Sequence, residues 1–423
     1  MAIAQRLGRM SMPVRNLARA MAAHEIWPLT IVVAASIASE QALPSAFAVA
    51  VALIATRWIA RGVPSVRTPA DWPILALALM GVVSLAVTAQ MELTAPQVGR
   101  LWLGMTFYYG LVNWATSLKR LELVSLGLAL SGLVLALGAP FGVEWVGAKF
   151  AFIPASLYER FIRLSPDTIN PNVMAGYLAL LLPCVAAPLL FVWNQLALWR
   201  KSLYGVVLTA MLIVLVLTQS RAGIAAAAIG LLVLAMLRWR WAWVGALALA
   251  ALGLIFWRAI FTALATGVNF DGLPTRMEVW TRGWYMVQDF AFTGIGMGSF
   301  AYVTERFYPL VLQPTLPHAH NLVLQIAVDL GVPGLVAWLA VLSMVVVSAW
   351  RAYRRGVASG DRFLTGLTAG LLAAQVVLLF HGMFDAITWG MVRPAVLIWG
   401  LWGVAVAALH GTRDPAKLTE AGS

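Results

Sequence analysis

The stretch LVLQIAVDLGVPGLVAWLAVLSMVVVSAW, residues 322–350, decides the fold class. Its only charged residue is Asp329. A helix of about 20 mainly apolar residues crosses a bilayer, so this run is long enough to span. Comparable runs recur at about 26–39, 44–60, 72–90, 99–116, 120–140, 172–193, 202–219, 222–237, 241–260, 363–387 and 392–409. Together they give twelve candidate spans. The expected fold is an all-α polytopic membrane protein of about twelve transmembrane helices, a single integral membrane domain over 1–423. Composition agrees: 61% of residues are hydrophobic and 11% charged, where a soluble chain carries about 25% charged residues. The 19 Trp residues suit membrane interfaces.

The net charge of +12 would suit nucleic acid only if the basic residues formed one stripe. They sort by loop instead. With twelve spans, one side receives 19 of the 29 basic residues and 6 of the 17 acids, giving it +13 and the opposite side −1. Basic loops stay in the cytoplasm. Both termini are therefore expected there, and a nucleic-acid partner is excluded. The arginines before the first apolar run, Arg6, Arg9, Arg15 and Arg19, suggest a retained signal-anchor. A single cysteine, Cys184, excludes an internal disulfide and a multi-cysteine metal site.

Two long connections lie on the outer side, at 141–171 and 261–321, the latter between spans 9 and 10. Loops of this length in a compact protein are functional or disordered. Their aromatic residues, prolines and mixed charges point to ordered lids. Four outer-face motifs carry candidate chemistry. In Asn170-Pro171-Asn172, Asn170 reads as a helix N-cap with Pro171 in the first turn. In Ser220-Arg221-Ala222-Gly223, Ser220 caps the next helix, while Arg221 either snorkels into water or serves function at a helix end. In the large loop, Arg276 and Trp280 fall on one helical face, with Arg282 following. A helix lying on the membrane surface is the competing explanation. In His318-Ala319-His320-Asn321, no nearby acid or cysteine completes a metal set, so no metal is expected. Base catalysis suits His320, since histidine exchanges a proton near neutral pH. Asp385 could orient a histidine or pair with an arginine. His381 and Asp329 read as bundle contacts.

Helices starting near 171, 221 and 321 all begin on the outer face in this topology. Their N-termini present free N–H groups and partial positive charge. With Arg221 and Arg276 they would form an anion site at the membrane surface. The diphosphate head group of a polyisoprenoid fits that place, its tail in the bilayer.

These motifs resemble those of the O-antigen ligase and polymerase superfamily of bacterial envelopes. His320-Asn321, nine residues, then Gly331-Val332-Pro333-Gly334 is similar to its His-containing Gly-x-x-Gly signature. Ser220-Arg221-Ala222-Gly223 resembles its Ser-Arg-x-Gly segment, and Arg276, Trp280 and Gly294-Ile295-Gly296 resemble its arginine and glycine-loop motif. Asn170-Pro171-Asn172 and the His381 to Asp385 stretch also match, over roughly residues 165–390. The resemblance implies a GT-C-like glycosyltransferase of the inner membrane with a periplasmic active site. It would complete lipopolysaccharide by moving a glycan from undecaprenyl diphosphate to a sugar hydroxyl of lipid A–core, with no cofactor and no metal. The implied catalytic residues are His320, Arg221, Arg276 and Asp385. Arg282, His318, Asn321, Ser220, Asn170 and Asn172 would bind substrate. A polymerase of the same superfamily shares these sites and differs in acceptor, and a protein-directed oligosaccharyltransferase is a further relative. A lipid-glycan transporter predicts charges at the bundle midplane, and a nonenzymatic scaffold leaves the ordered motifs unexplained.

Overall fold

The computed structural model describes residues 12–145, 150, 152–162, 164, 168–259, 262, 273–311, 316–390 and 392–411. Arg6, Arg9, Arg413 and Lys417 of the charge count lie outside them, as do parts of both long loops. The described residues form fifteen α-helices and no strand beyond one isolated bridge, Val143 to Ile169. In chain order the helices are α1 (Met12–Ala23), α2 (Ile26–Ala38), α3 (Leu43–Arg61), α4 (Asp71–Val87), α5 (Met91–Trp114), α6 (Leu118–Gly142), α7 (Pro171–Phe191) and α8 (Leu198–Leu217). Then come α9 (Arg221–Arg238), α10 (Ala242–Ile255), α11 (Leu273–Asp289), α12 (Phe300–Phe307), α13 (Leu322–Ser359), α14 (Arg362–Gly382) and α15 (Val396–His410).

Each of the twelve expected spans is helical, but they are unequal. Among the described residues eight helices are long and apolar enough to cross a membrane, or nine if the bent pair α1–α2 is one span. The bend of 55° sits at Glu25, whose carboxylate is buried against Arg57 at 3.1 Å. Arg15 and Arg19, expected on a tail, thus lie on a helix that packs against α3. The other departures have local causes. α4 and α10 are short apolar helices. α5 is long but carries Gln97, Arg100 and Asn113, all buried by protein.

α7 packs against α14 and α9, and α15 against α5 and α13. In the spanning windows of α7 and Arg393–His410, 83% of residues are buried, against 28% for α6, α8 and α9. The first group is therefore the centre of the bundle and the second its lipid-facing rim. Hydrogen bonds tie the basic loops to one another at one end. Arg200 pairs with Glu122, Arg238 donates to the Leu190 carbonyl, Tyr353 to Leu237 and Arg355 to Leu409. The candidate motifs lie at the opposite ends of these helices, at the starts of α7, α9 and α13.

Candidate active site

Small residues let the starts of α7 and α9 approach each other at that second end, and let the start of α13 and the start of α7 approach the end of α14. A β-carbon on Gly223 would lie 2.5 Å from Ala175 Cβ, and one on Gly382 would lie 3.0 Å from Leu322 Cβ. Gly176 does the same for His381, whose ring carbon would stand 3.0 Å away. Each start is capped by its own side chain. Asn170 Oδ1 accepts from the Asn172 N–H at 2.8 Å, Ser220 Oγ from Gly223 at 3.3 Å, and Asn321 Oδ1 from Leu324 at 3.0 Å. Three of the residues expected to bind substrate therefore orient helix N-termini, where partial positive charge is concentrated. Arg221 is exposed at the first position of α9.

The large loop is built of helix, glycine turn and helix. Gly294, Gly296 and Gly298 all have positive φ. Their backbone lies flat on α13: Ile295 N–H donates to Val328 O at 2.9 Å and Gly296 N–H to Asp329 O at 3.2 Å. α13 is broken at Gly331, with φ 68° and ψ −178°, and the Val332 N–H there bonds to the Ala291 carbonyl at 2.7 Å. The two glycine motifs are thus halves of one backbone joint. The joint also rests on the α4–α5 corner, where Ser84 Oγ accepts from Met297 N–H and Thr94 donates to Met297 O. The sequence offered only apolar spans there.

This joint holds 322–330 as a short buried helix, and His318 to Asn321 form the loop before it. Asp385, in the turn after α14, lies 3.5 Å from His318 Nε2 and 3.7 Å from His320 Nδ1. The two rings stand 4.1 Å apart. Arg276, on α11, donates to the Phe384 carbonyl at 2.6 Å, and Asn321 Nδ2 reaches the Met383 carbonyl at 3.4 Å. Arg276 is thus docked on the bundle, and a purely lipid-facing α11 is ruled out for it. Arg282 lies further along α11, half-buried, its Nε without a hydrogen-bond partner among the described residues. Among the described residues no hydrogen bond or ion pair joins it to the histidines. Asn172 contributes its backbone N–H to the Asn170 cap.

Electrostatics distinguish the members. Burial pushes His318 down to about 4, helped by His320 and Arg276 and opposed by Asp385. For Asp385, burial would raise the carboxyl, but the surrounding histidines outweigh it and hold it down at about 2. Asp385 is therefore a carboxylate beside a neutral His318 at pH 7. The His320 backbone N–H donates to His318 Nδ1 at 3.1 Å, so the His318 proton sits on Nε2, facing Asp385. His320 itself occupies the left-handed region at φ 48°.

One expectation needs correction. The sequence offered no acid to complete a metal set with the histidines; folding supplies Asp385, and the three ligand atoms lie within 4.8 Å of one another. A ligand set defined by three-dimensional proximity is invisible to a local count. The His318 tautomer nevertheless suits a hydrogen-bonded cluster, since a metal on Nε2 would require the proton to leave that atom. His381 is buried, and neither of its ring nitrogens has a partner among the described residues. Sequence reasoning also passed over Gln325, whose Oε1 accepts from the Ala319 N–H at 2.7 Å.

The fold and this cluster define a class: a multi-pass α-helical membrane protein with a histidine–carboxylate–arginine site at one end of its bundle. Residues 206–339 match the family model described as O-Antigen ligase. That match supports the resemblance to the O-antigen ligase and polymerase superfamily over this part of the chain. The match takes in Arg221, Arg276, Arg282 and the His318–Asn321 loop, and stops before Asp385. Among curated proteins no match is found.

Proposed function

We propose that this protein is an O-antigen ligase. It transfers a glycan from undecaprenyl diphosphate to a sugar hydroxyl of lipid A–core, at the periplasmic face of the bacterial inner membrane. The observation that carries the reading is the convergence of His318, His320, Asp385 and Arg276 just before the capped start of α13, in a chain whose residues 206–339 match the O-Antigen ligase model.

In this reading the acceptor hydroxyl oxygen attacks the anomeric carbon. The bond from that carbon to the diphosphate oxygen breaks, and its electron pair leaves with the diphosphate. Arg221 and Arg276, with the helix N-termini, stabilise the charge that grows there. His320 takes the hydroxyl proton on Nε2, because its Nδ1 faces Asp385. Asp385 then stabilises the imidazolium, as the carboxylate of a catalytic triad does. The 3.7 Å separation is long for a hydrogen bond, as catalytic contacts are before substrate closes the site. A sugar hydroxyl is too weak an acid for histidine to ionise in advance. Proton transfer therefore runs late, alongside an oxocarbenium-like transition state, and attack on one face inverts the anomeric centre. Arg282, Asn172 and the capping residues Ser220, Asn170 and Asn321 line the substrate path.

A lipid-linked donor also suits an apolar groove of ≈ 420 Å³ between the 150s loop and α8, lined by Phe152, Ile153, Leu157, Leu212, Val216 and Leu217 among others. Tyr158 donates to the Leu217 carbonyl at 2.7 Å, and Gln219 Oε1, just before Arg221 in the chain, accepts from the Phe150 N–H at 2.6 Å. A tail in that groove would lead its head group toward Arg221. Tritiated or fluorescent donor lipid tests this arm: binding should weaken in Arg221→Ala and in Arg276→Ala. Unchanged affinity in both would remove the diphosphate role.

A further inference from the structure

Two consecutive amides of the histidine loop are held by side chains, and one of those side chains lies outside the charged cluster. The Ala319 N–H donates to Gln325 Oε1 at 2.7 Å, while the next amide, of His320, donates to His318 Nδ1. Gln325 is fully buried, and only the oxygen of its amide can accept from the Ala319 N–H. Asp329, one turn further into α13, takes up the other end. The Gln325 Nε2 donates to Asp329 Oδ1 at 2.9 Å, and Trp389 Nε1 donates to Asp329 Oδ2 at 2.8 Å. Both Asp329 and Trp389 are buried. A carboxylate only accepts and an indole N–H only donates, so every bond in this line has a fixed sense. Trp389 also follows Asp385 by one turn's length of chain. The line therefore ties the segment carrying Asp385 to the loop carrying both histidines.

We propose that Gln325, Asp329 and Trp389 are positioning residues for glycan transfer, a buried relay that holds the His318–His320 loop in register with Asp385. The proposal rests on the reading of His320 as the base. The relay touches no substrate. Its role follows from two physical facts: a fully satisfied buried network specifies one arrangement, and a catalytic group displaced by about 1 Å can lose about 10²-fold in rate.

The fixed sense of the bonds makes a reversal test possible. In Asp329→Asn the new amide N–H₂ faces either Gln325 Nε2 or Trp389 Nε1, donor against donor. In Gln325→Glu two carboxylates face each other. In the double variant, Gln325→Glu with Asp329→Asn, the new carboxylate accepts from the Ala319 N–H and from the new amide. The carbonyl of that amide accepts from Trp389. Every bond of the line is then restored, the one between positions 325 and 329 with its proton on the other side.

The full-length protein in lipid nanodiscs would be assayed for kcat, for KM of the polyprenyl-diphosphate glycan, and for the rate at which diethyl pyrocarbonate modifies His320, read by mass spectrometry. Each single variant should lose about 10–100-fold in kcat with KM unchanged, and the double variant should return to within about threefold of the native rate. His320 modification should change in the singles and revert in the double. Singles that turn over at the native rate, or a folded double variant as slow as either single, would overturn the relay. If the native protein transfers no glycan, the functional reading fails by itself. The His320 modification rates then still decide the relay: shifted in the singles and restored in the double, it stands; equal in all four proteins, it falls.

Discussion

Asp385 Oδ1 stands between two imidazoles, 3.5 Å from His318 Nε2 and 3.7 Å from His320 Nδ1, and the neighbours of each ring give the two histidines different work. His318 spends Nδ1 on the His320 backbone, so it braces the turn. His320 Nε2 has no hydrogen bond among the described residues and is the nitrogen offered to substrate in the proposed function. His320→Ala should therefore lower transfer by about 10²–10⁴-fold while donor-lipid binding stays near native; transfer kinetics and a binding isotherm check this pair. His318 adds a pH dependence whose sign follows from its low value of about 4, set chiefly by burial. Between about pH 4 and 6.5 the unfolded chain binds more protons at this residue than the folded one, so stability falls as pH falls through that window. Thermal melts should show a lower midpoint at pH 4.5 than at pH 7. The gap should shrink in His318→Gln, whose side-chain carbonyl still accepts from His320. An unchanged gap would take His318 out of the account.

The elements show why some of this site was legible in the sequence and some was not. Helix length and apolarity are local properties, so the spans at 120–140, 172–193 and 202–219 were readable, as were the caps Asn170 and Ser220 that precede two of the helices. Gln325 and Asp329 stand one turn apart on a helix, a spacing that local reading could have paired. Their partner Trp389 and the meeting of Asp385 with His318 depend on how α13 and α14 pack, and no local pattern encodes that. The glycine motifs were visible as motifs, but their reason is a joint between distant segments. A β-carbon on Gly294 would lie 2.4 Å from the Asp329 carbonyl, and one on Gly331 would lie 2.7 Å from the Ala291 oxygen. Both residues also have positive φ, which costs any other residue roughly 1–3 kcal/mol. Gly294→Ala and Gly331→Ala should each lower the melting temperature and reduce transfer. Gly205→Ala, where a β-carbon meets nothing within 4 Å, should do neither.

The whole molecule has two ends of different character, one closed by cross-linked basic loops and the other carrying the site. In the proposed function the site end faces the periplasm and the basic end the cytoplasm. Cys184 is buried, so an introduced cysteine can report alone. Val311→Cys, at an 85% exposed position on the site end, should react with a membrane-impermeant maleimide in intact spheroplasts. Trp199→Cys, at the opposite end and 57% exposed, should react only after lysis. The central claim is the transfer itself. It is tested most directly with purified protein in lipid, chelator present, supplied with a glycan on undecaprenyl diphosphate and with lipid A–core, the products resolved by mass. The native protein should yield glycan on lipid A–core, and His320→Ala should yield none. Longer glycan retained on undecaprenyl diphosphate would contradict the ligase reading in favour of polymerisation, and equal transfer by His320→Ala would contradict the site.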